Sequence, residues 1–124
     1  MKREAKFQTV FNKWVLTNFK KTSVFELKQT VNERLPFSRL ETHQAIALWN
    51  AKHHMLSYKL VDCGYQNPFD SICLKEVPAY VVIRYPQFFC LIDIDVFIKE
   101  SNESDEKSLK SDRAKEIAEV CVKI

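Results

Sequence analysis

Phe7, Val10, Phe11, Trp14 and Val15 recur at the three- and four-residue spacing of a helix that buries one face. The pattern predicts an amphipathic helix over residues 4–19. From Thr22 to Thr30 the period drops to two, which predicts a strand. Val24, Glu26 and Lys28 then share one face, and Phe25, Leu27 and Gln29 share the other. After Pro36, the run Ser38-Arg39-Leu40-Glu41 has the spacing of a capping box, with Ser38 as the cap and Glu41 reaching back. The helix it opens is expected to reach Ala51 or Lys52. Leu40, Ala47, Leu48 and Ala51 form its inward stripe, and Gln44 falls on that stripe.

Two further strands are expected at 56–61 and 79–85, separated by a turn at Asn67-Pro68-Phe69-Asp70. A fourth covers Phe88 to Ile98. Residues 101–111 are polar and charged with a single apolar side chain, which predicts a mobile loop. Ala114, Ile117, Ala118 and Cys121 then recur at helical spacing, with Asp112 as cap, over 112–122. The resulting order is helix–strand–helix–strand–strand–strand–helix. It predicts an α/β or α+β fold, a small single domain spanning 1–124 around one central mixed sheet flanked by helices.

Composition narrows the class. There is no run of eighteen apolar residues, so no membrane-spanning helix is expected. The basic opening Met1-Lys2-Arg3-Glu4-Ala5-Lys6 leads into no apolar core of a secretion signal. Cys63, Cys73, Cys90 and Cys121 stand singly and read as reduced thiols of a cytoplasmic protein. Gly64 is the one glycine, which argues against glycine-rich phosphate loops and the nucleotide-binding classes that use them. Charge is unevenly spread. Residues 1–60 hold eleven Lys and Arg against four Glu, a net of +7, whereas residues 61–124 hold eight against twelve, a net of −4. A basic first half is suited to phosphates, although scattering over unrelated faces is an equal reading.

The densest chemistry lies in Glu26-Leu27-Lys28. On one strand face the carboxylate and the ammonium stand roughly 7 Å apart at the backbone. Such a carboxylate can hold a hard cation such as Mg²⁺, with the Leu27 carbonyl as a second oxygen donor. The lysine can orient a water and balance phosphate charge. An exposed strand face with an opposite-charge pair is the plainer reading. Flanking Val, Phe and Leu weigh against it, because burying two charges without purpose is costly.

Ser23-Val24-Phe25-Glu26-Leu27-Lys28-Gln29-Thr30, then Leu35-Pro36-Phe37-Ser38, then His43-Gln44 ahead of an apolar run, resembles nucleases of the PD-(D/E)XK superfamily. Within it the likeness is to RecU-type Holliday-junction resolvases and related small phage-encoded proteins. Tyr58-Lys59-Leu60, Pro68-Phe69-Asp70 and Ala79-Tyr80-Val81-Val82-Ile83 are similar to their later parts, so the likeness spans roughly residues 4–98. It implies a restriction-endonuclease-like fold and Mg²⁺- or Mn²⁺-dependent cleavage of DNA, with a homodimer for paired cuts. Glu26 becomes a metal ligand and Lys28 the catalytic lysine, with Gln44 beside them. Glu4 matches an acidic residue of the first helix, although a carboxylate favouring a helix N-terminus is the plainer reading.

One departure stands out. The superfamily places a metal-binding Asp before the E-x-K strand, whereas here no Asp precedes residue 62. Asp70 is the candidate for a permuted site, and an ordinary turn aspartate is the alternative. Lys2, Arg3, Lys6, Lys13, Lys20, Lys21 and His43 are the expected DNA contacts, with a partly buried helix histidine as the equal reading of His43. Elsewhere, Asp93 and Asp95 are expected on an exposed strand face, and His53-His54 with Cys63 has no zinc spacing.

Overall fold

The computed structural model describes residues 2–60 and 68–124, with side chains from Lys6 onward. The side chains of Lys2, Arg3 and Glu4, and the residues Val61, Cys63, Gly64 and Asn67, lie outside the described residues.

The chain forms a small α/β domain around a four-stranded mixed sheet flanked by four helices. In spatial order the sheet runs β1 (Val24–Gln29), β5 (Ala79–Arg84), β6 (Phe88–Asp93) and β8 (Val120–Lys123). β1 and β5 are parallel, with Glu26 opposite Val81 and Lys28 opposite Ile83; β5–β6 and β6–β8 are antiparallel. The inner strands read AYVVIR and FFCLID, nearly continuous apolar runs, because both of their faces are covered.

Helix α1 (Lys2–Asn18) lies on one face. Its Phe7 and Phe11 are buried against Tyr80, Val82, Phe89 and Leu91, with Trp14, Phe19, Phe25 and Leu27 packed around them. The rings interlock mostly edge to face, Phe11 with Phe25 at 4.9 Å and with Phe89 at 5.8 Å. On the other face, α2 (Thr42–His53), α3 (Ile94–Glu103) and α4 (Ser111–Ile117) cover Val81, Ile83, Cys90 and Ile92 through Leu48, Ile94, Phe97 and Ala114. A parallel pair needs a crossover, and α2 lies between β1 and β5 in the chain.

Several expectations are corrected. The expected strand at 88–98 stops at Asp93, whose carboxylate accepts the Asp95 N–H and caps α3. Ile94, Phe97 and Ile98 then continue at helical spacing. The loop expected at 101–111 instead holds the end of α3 and β7 (Ser108–Lys110), which pairs with β2 (Arg34–Pro36). Its one apolar side chain, Leu109, is buried, and the Leu109 carbonyl accepts the Tyr85 hydroxyl at 2.9 Å. The last helix ends at Ile117, and Val120 and Val122 join the sheet edge by turning inward on the period of two.

β3 (Met55–Lys59) does not enter the central sheet. It pairs with β4 (Ser71–Lys75), a strand the sequence did not announce, in a separate two-stranded ribbon. Finally, the cap of α2 is Glu41, three residues beyond the expected Ser38, which lies in a 3₁₀ turn over Phe37–Arg39. Among the described residues no helix is long and apolar enough to cross a membrane.

Candidate functional site at the open edge of the sheet

β1 is an edge strand: β5 lies on one side, and among the described residues no strand lies on the other. The helices α1 and α2 rise on its two faces and leave a cleft of about 350 Å³ along that edge. Phe7, Gln8, Phe25, Glu26, Leu27, Lys28 and Gln44 line it. The expected strand face is therefore present and turned toward α2, since Val24 of the same face packs into the core beneath α2.

The side chains meet as the strand period requires. Lys28 Nζ stands 3.5 Å from Glu26 Oε1, and the two are only 12 % and 32 % exposed. At that depth a pair of charges is not an incidental surface ion pair. Gln44 Nε2 donates to the same Glu26 Oε1 at 2.9 Å. The other end of the Gln44 amide is occupied too, because its Oε1 accepts the Glu41 backbone N–H at 3.1 Å. Gln44 is thus the reciprocal half of the capping box that starts α2. With its carbonyl fixed by the helix start, its NH₂ group is aimed at Glu26, and Glu26 Oε1 is held in turn. Glu26 Oε2 has no partner among the described residues.

Two hard oxygen donors therefore lie on one strand: Glu26 Oε2, and the Leu27 carbonyl, which points away from β5 because Val24 and Thr30 direct their N–H groups toward it. This set suits Mg²⁺, which takes one or two carboxylates and fills its shell with water and phosphate oxygens. Asp70 does not extend the set. It sits exposed immediately before β4, its carbonyl accepts the Leu60 N–H within the ribbon, and it is not among the residues lining the cleft. Glu4 lies one turn before Gln8 on α1, and its side chain is outside the described residues.

The expected basic contacts divide. At 100° per residue, Lys6 and Lys13 lie about 140–160° around α1 from Gln8, on the side away from the cleft. Lys20 and Lys21 border a different depression with Asn18, Phe19, Ser23, Pro78, Tyr80 and Glu119. There the Tyr80 hydroxyl donates to Glu119 Oε2 at 2.6 Å; burial, then that bond, holds the phenol well above its ordinary pKa. His43 is exposed at the start of α2, with Nδ1 3.4 Å from Glu41. Two further residues, not expected from the sequence, join the site. Gln8 lines the cleft from α1, and Arg39 donates to the Gln29 carbonyl at 3.5 Å on the open edge. Neither belongs to a periodic or motif pattern, so the sequence carried no signal for them.

The carboxylates expected on an exposed strand face, Asp93 and Asp95, belong instead to a closed cluster at the far end of α2. Lys52 Nζ donates to Asp93 Oδ1 and Oδ2 at 2.8 and 2.9 Å and to Asp95 Oδ2 at 2.7 Å. His53 Nε2 lies 2.8–2.9 Å from both Asp95 oxygens. Burial tends to lower the Lys52 pKa and raise that of Asp95, but the hydrogen bonds outweigh it. Lys52 is held above its ordinary range and Asp95 below its own.

Among the described residues, no three His, Cys, Asp or Glu side chains converge on a point that could hold a metal ion. Compared with known protein families, with curated proteins and with solved structures, the chain matches none of them.

Proposed function

We propose that the protein is a metal-dependent endonuclease that hydrolyses phosphodiester bonds of DNA, with Glu26 and Lys28 at its centre. The observation that carries this reading is the half-buried Glu26–Lys28 pair on an open strand edge, with Gln44 bonded to the carboxylate. Glu26 and the Leu27 carbonyl would hold Mg²⁺ or Mn²⁺. When bound, the ion would supply Lewis-acid polarisation of the phosphate and a more acidic water.

The chain's own groups do the rest. Lys28 sits beside the carboxylate, where its ammonium orients a water toward phosphorus and balances the charge that builds on the phosphate oxygens. Gln44 keeps Glu26 in a single orientation through the helix cap, so little reorganisation is needed as the substrate enters. Branched DNA cut by a homodimer extends this proposal, through the resemblance to junction resolvases.

A second reading has its own support. Asp70 does not line the cleft, so among the described residues one carboxylate stands where two were expected. On this reading the domain binds nucleic acid or a protein without cutting. The test is incubation of labelled duplex, single-stranded and four-way-junction DNA with Mg²⁺, with Mn²⁺ and with chelator. Metal-dependent cutting that disappears in Glu26→Gln and Lys28→Ala supports the nuclease. Binding without cutting under every metal supports the second reading.

A further inference from the structure

In the cleft, hydrogen-bonding groups remain for which the fold has no use. β1 pairs with β5 through the Val24 N–H to the Pro78 carbonyl and the Thr30 N–H to the Arg84 carbonyl, both 2.9–3.0 Å. In a parallel pair the same residues direct both their N–H and C=O groups to the neighbour, so Val24, Glu26, Lys28 and Thr30 face β5. The peptide groups of Phe25, Leu27 and Gln29 therefore face the open edge. The Gln29 carbonyl is met by Arg39, but the Leu27 N–H and C=O have no partner among the described residues. A half-buried peptide without a partner is costly unless something else supplies one. Across the cleft, Gln8 lines the wall formed by α1, and its amide has no hydrogen-bond partner among the described residues.

We propose that the Gln8 amide, the Leu27 N–H and the Lys28 ammonium together cradle one phosphate of a nucleic-acid strand lying along the open edge of β1. The inference rests on the nuclease reading and deepens it by naming how the substrate is gripped. The chemistry selects the ligand. Three donors, one of them cationic, call for an anion rich in acceptors. Glu26 on the same wall would repel that anion unless the two shared a cation, and a phosphodiester with a divalent ion meets both conditions. Gln8 is then a substrate-binding residue, and the α1 lysines on the far side of the helix play no part in this contact.

The test measures binding of fluorescently labelled duplex and four-way-junction DNA by anisotropy, with Ca²⁺ in place of Mg²⁺ so that turnover does not intrude. Wild type is compared with Gln8→Met, which keeps shape and removes the amide, with Gln8→Glu, and with a protein whose Glu26–Leu27 amide is replaced by an ester, which removes the Leu27 N–H and weakens the Glu26 carbonyl toward β5. Gln8 is exposed, so its variants should melt with wild type. A hydrogen bond to a charged group predicts roughly tenfold weaker binding for Gln8→Met and for the ester. Gln8→Glu should lose more. Wild-type affinity in both Gln8→Met and the ester would overturn the cradle and leave the nuclease reading standing. A wild-type protein that binds no DNA at all would overturn both.

Discussion

Helix α2 holds a polar cluster at each end, and the two are built differently. At its last turn, Lys52 spends its ammonium hydrogens on Asp93 and Asp95, His53 takes the remaining Asp95 contacts, and Asp93 also caps α3. That cluster is closed, every carboxylate oxygen in it bonded to a partner. At its first turn, Gln44 joins Glu26 and Lys28, yet Glu26 Oε2 and the Leu27 peptide are left without partners among the described residues. Buried and half-buried polar groups are normally satisfied. A cluster that is satisfied stabilises the fold, and one that stays open in a cleft has bonding capacity left for a ligand. The contrast teaches that charge density alone does not mark a site; unspent donors and acceptors do.

The comparison breaks most sharply at Glu26 and Lys28. Glu26→Gln and Lys28→Ala should each lower the cleavage rate by about a hundredfold or more, the scale of losing a group that acts on transition-state charge. Neither should shift the melting temperature beyond a few degrees. A rate change of the same size from Lys52→Met would erase the distinction between the two clusters.

Gln44 belongs to both worlds, which makes it the most informative position. Gln44→Leu removes the cap bond and the bond to Glu26, so it should cost about 1 kcal/mol of stability and roughly tenfold in rate. Gln44→Glu restores the capping box, because glutamate serves at that position as glutamine does. It also sets a carboxylate against Glu26. Stability should therefore recover while activity stays low, and equal recovery of both would show that Gln44 serves only the helix.

Lys52→Met should act on stability alone. It leaves Asp93 and Asp95 facing each other, at a cost of about 1–2 kcal/mol, between that of an exposed and a buried pair. For a chain of this size that is a fall of about 3–8 °C in melting temperature. The smallest effect is the dependence on pH. Asp95 is held below its ordinary pKa, so its contribution is complete above about pH 3.9 and is lost as the pH falls below that value. Asp95→Asn should flatten this acid limb in a series of urea melts, and an unchanged limb would show that the cluster contributes nothing there.

Much of this was legible in the sequence, and the failures have physical causes. The first helix and β1 follow from periodicity, and β5 from a continuous apolar run of strand length that two covered faces require. Glu26 and Lys28 were legible together because a strand places alternate residues on one side. Gln44 was expected beside them through the resemblance to nucleases, but not as half of a cap. Asp93 misled because the apolar run from Phe88 to Ile98 contains a strand and a helix, and only the capping contact to Asp95 divides them. β8 was hidden because Val120 and Val122 gain their burial from Phe7, Phe89 and their neighbours, a face not encoded locally. Leu109 anchors a short strand in a stretch whose polarity suggested none. Asp70 was placed through the resemblance, which was silent on the strand β4 that follows it, and it does not line the cleft.

The most direct measurement of the central claim is cleavage of labelled four-way-junction and duplex DNA by wild type, Glu26→Gln and Lys52→Met, with Mg²⁺ and with chelator. Cutting by wild type and by Lys52→Met that requires the metal, and none by Glu26→Gln, is the expected result. Cutting by Glu26→Gln at the wild-type rate, or no cutting by a folded wild type under any metal, would contradict it.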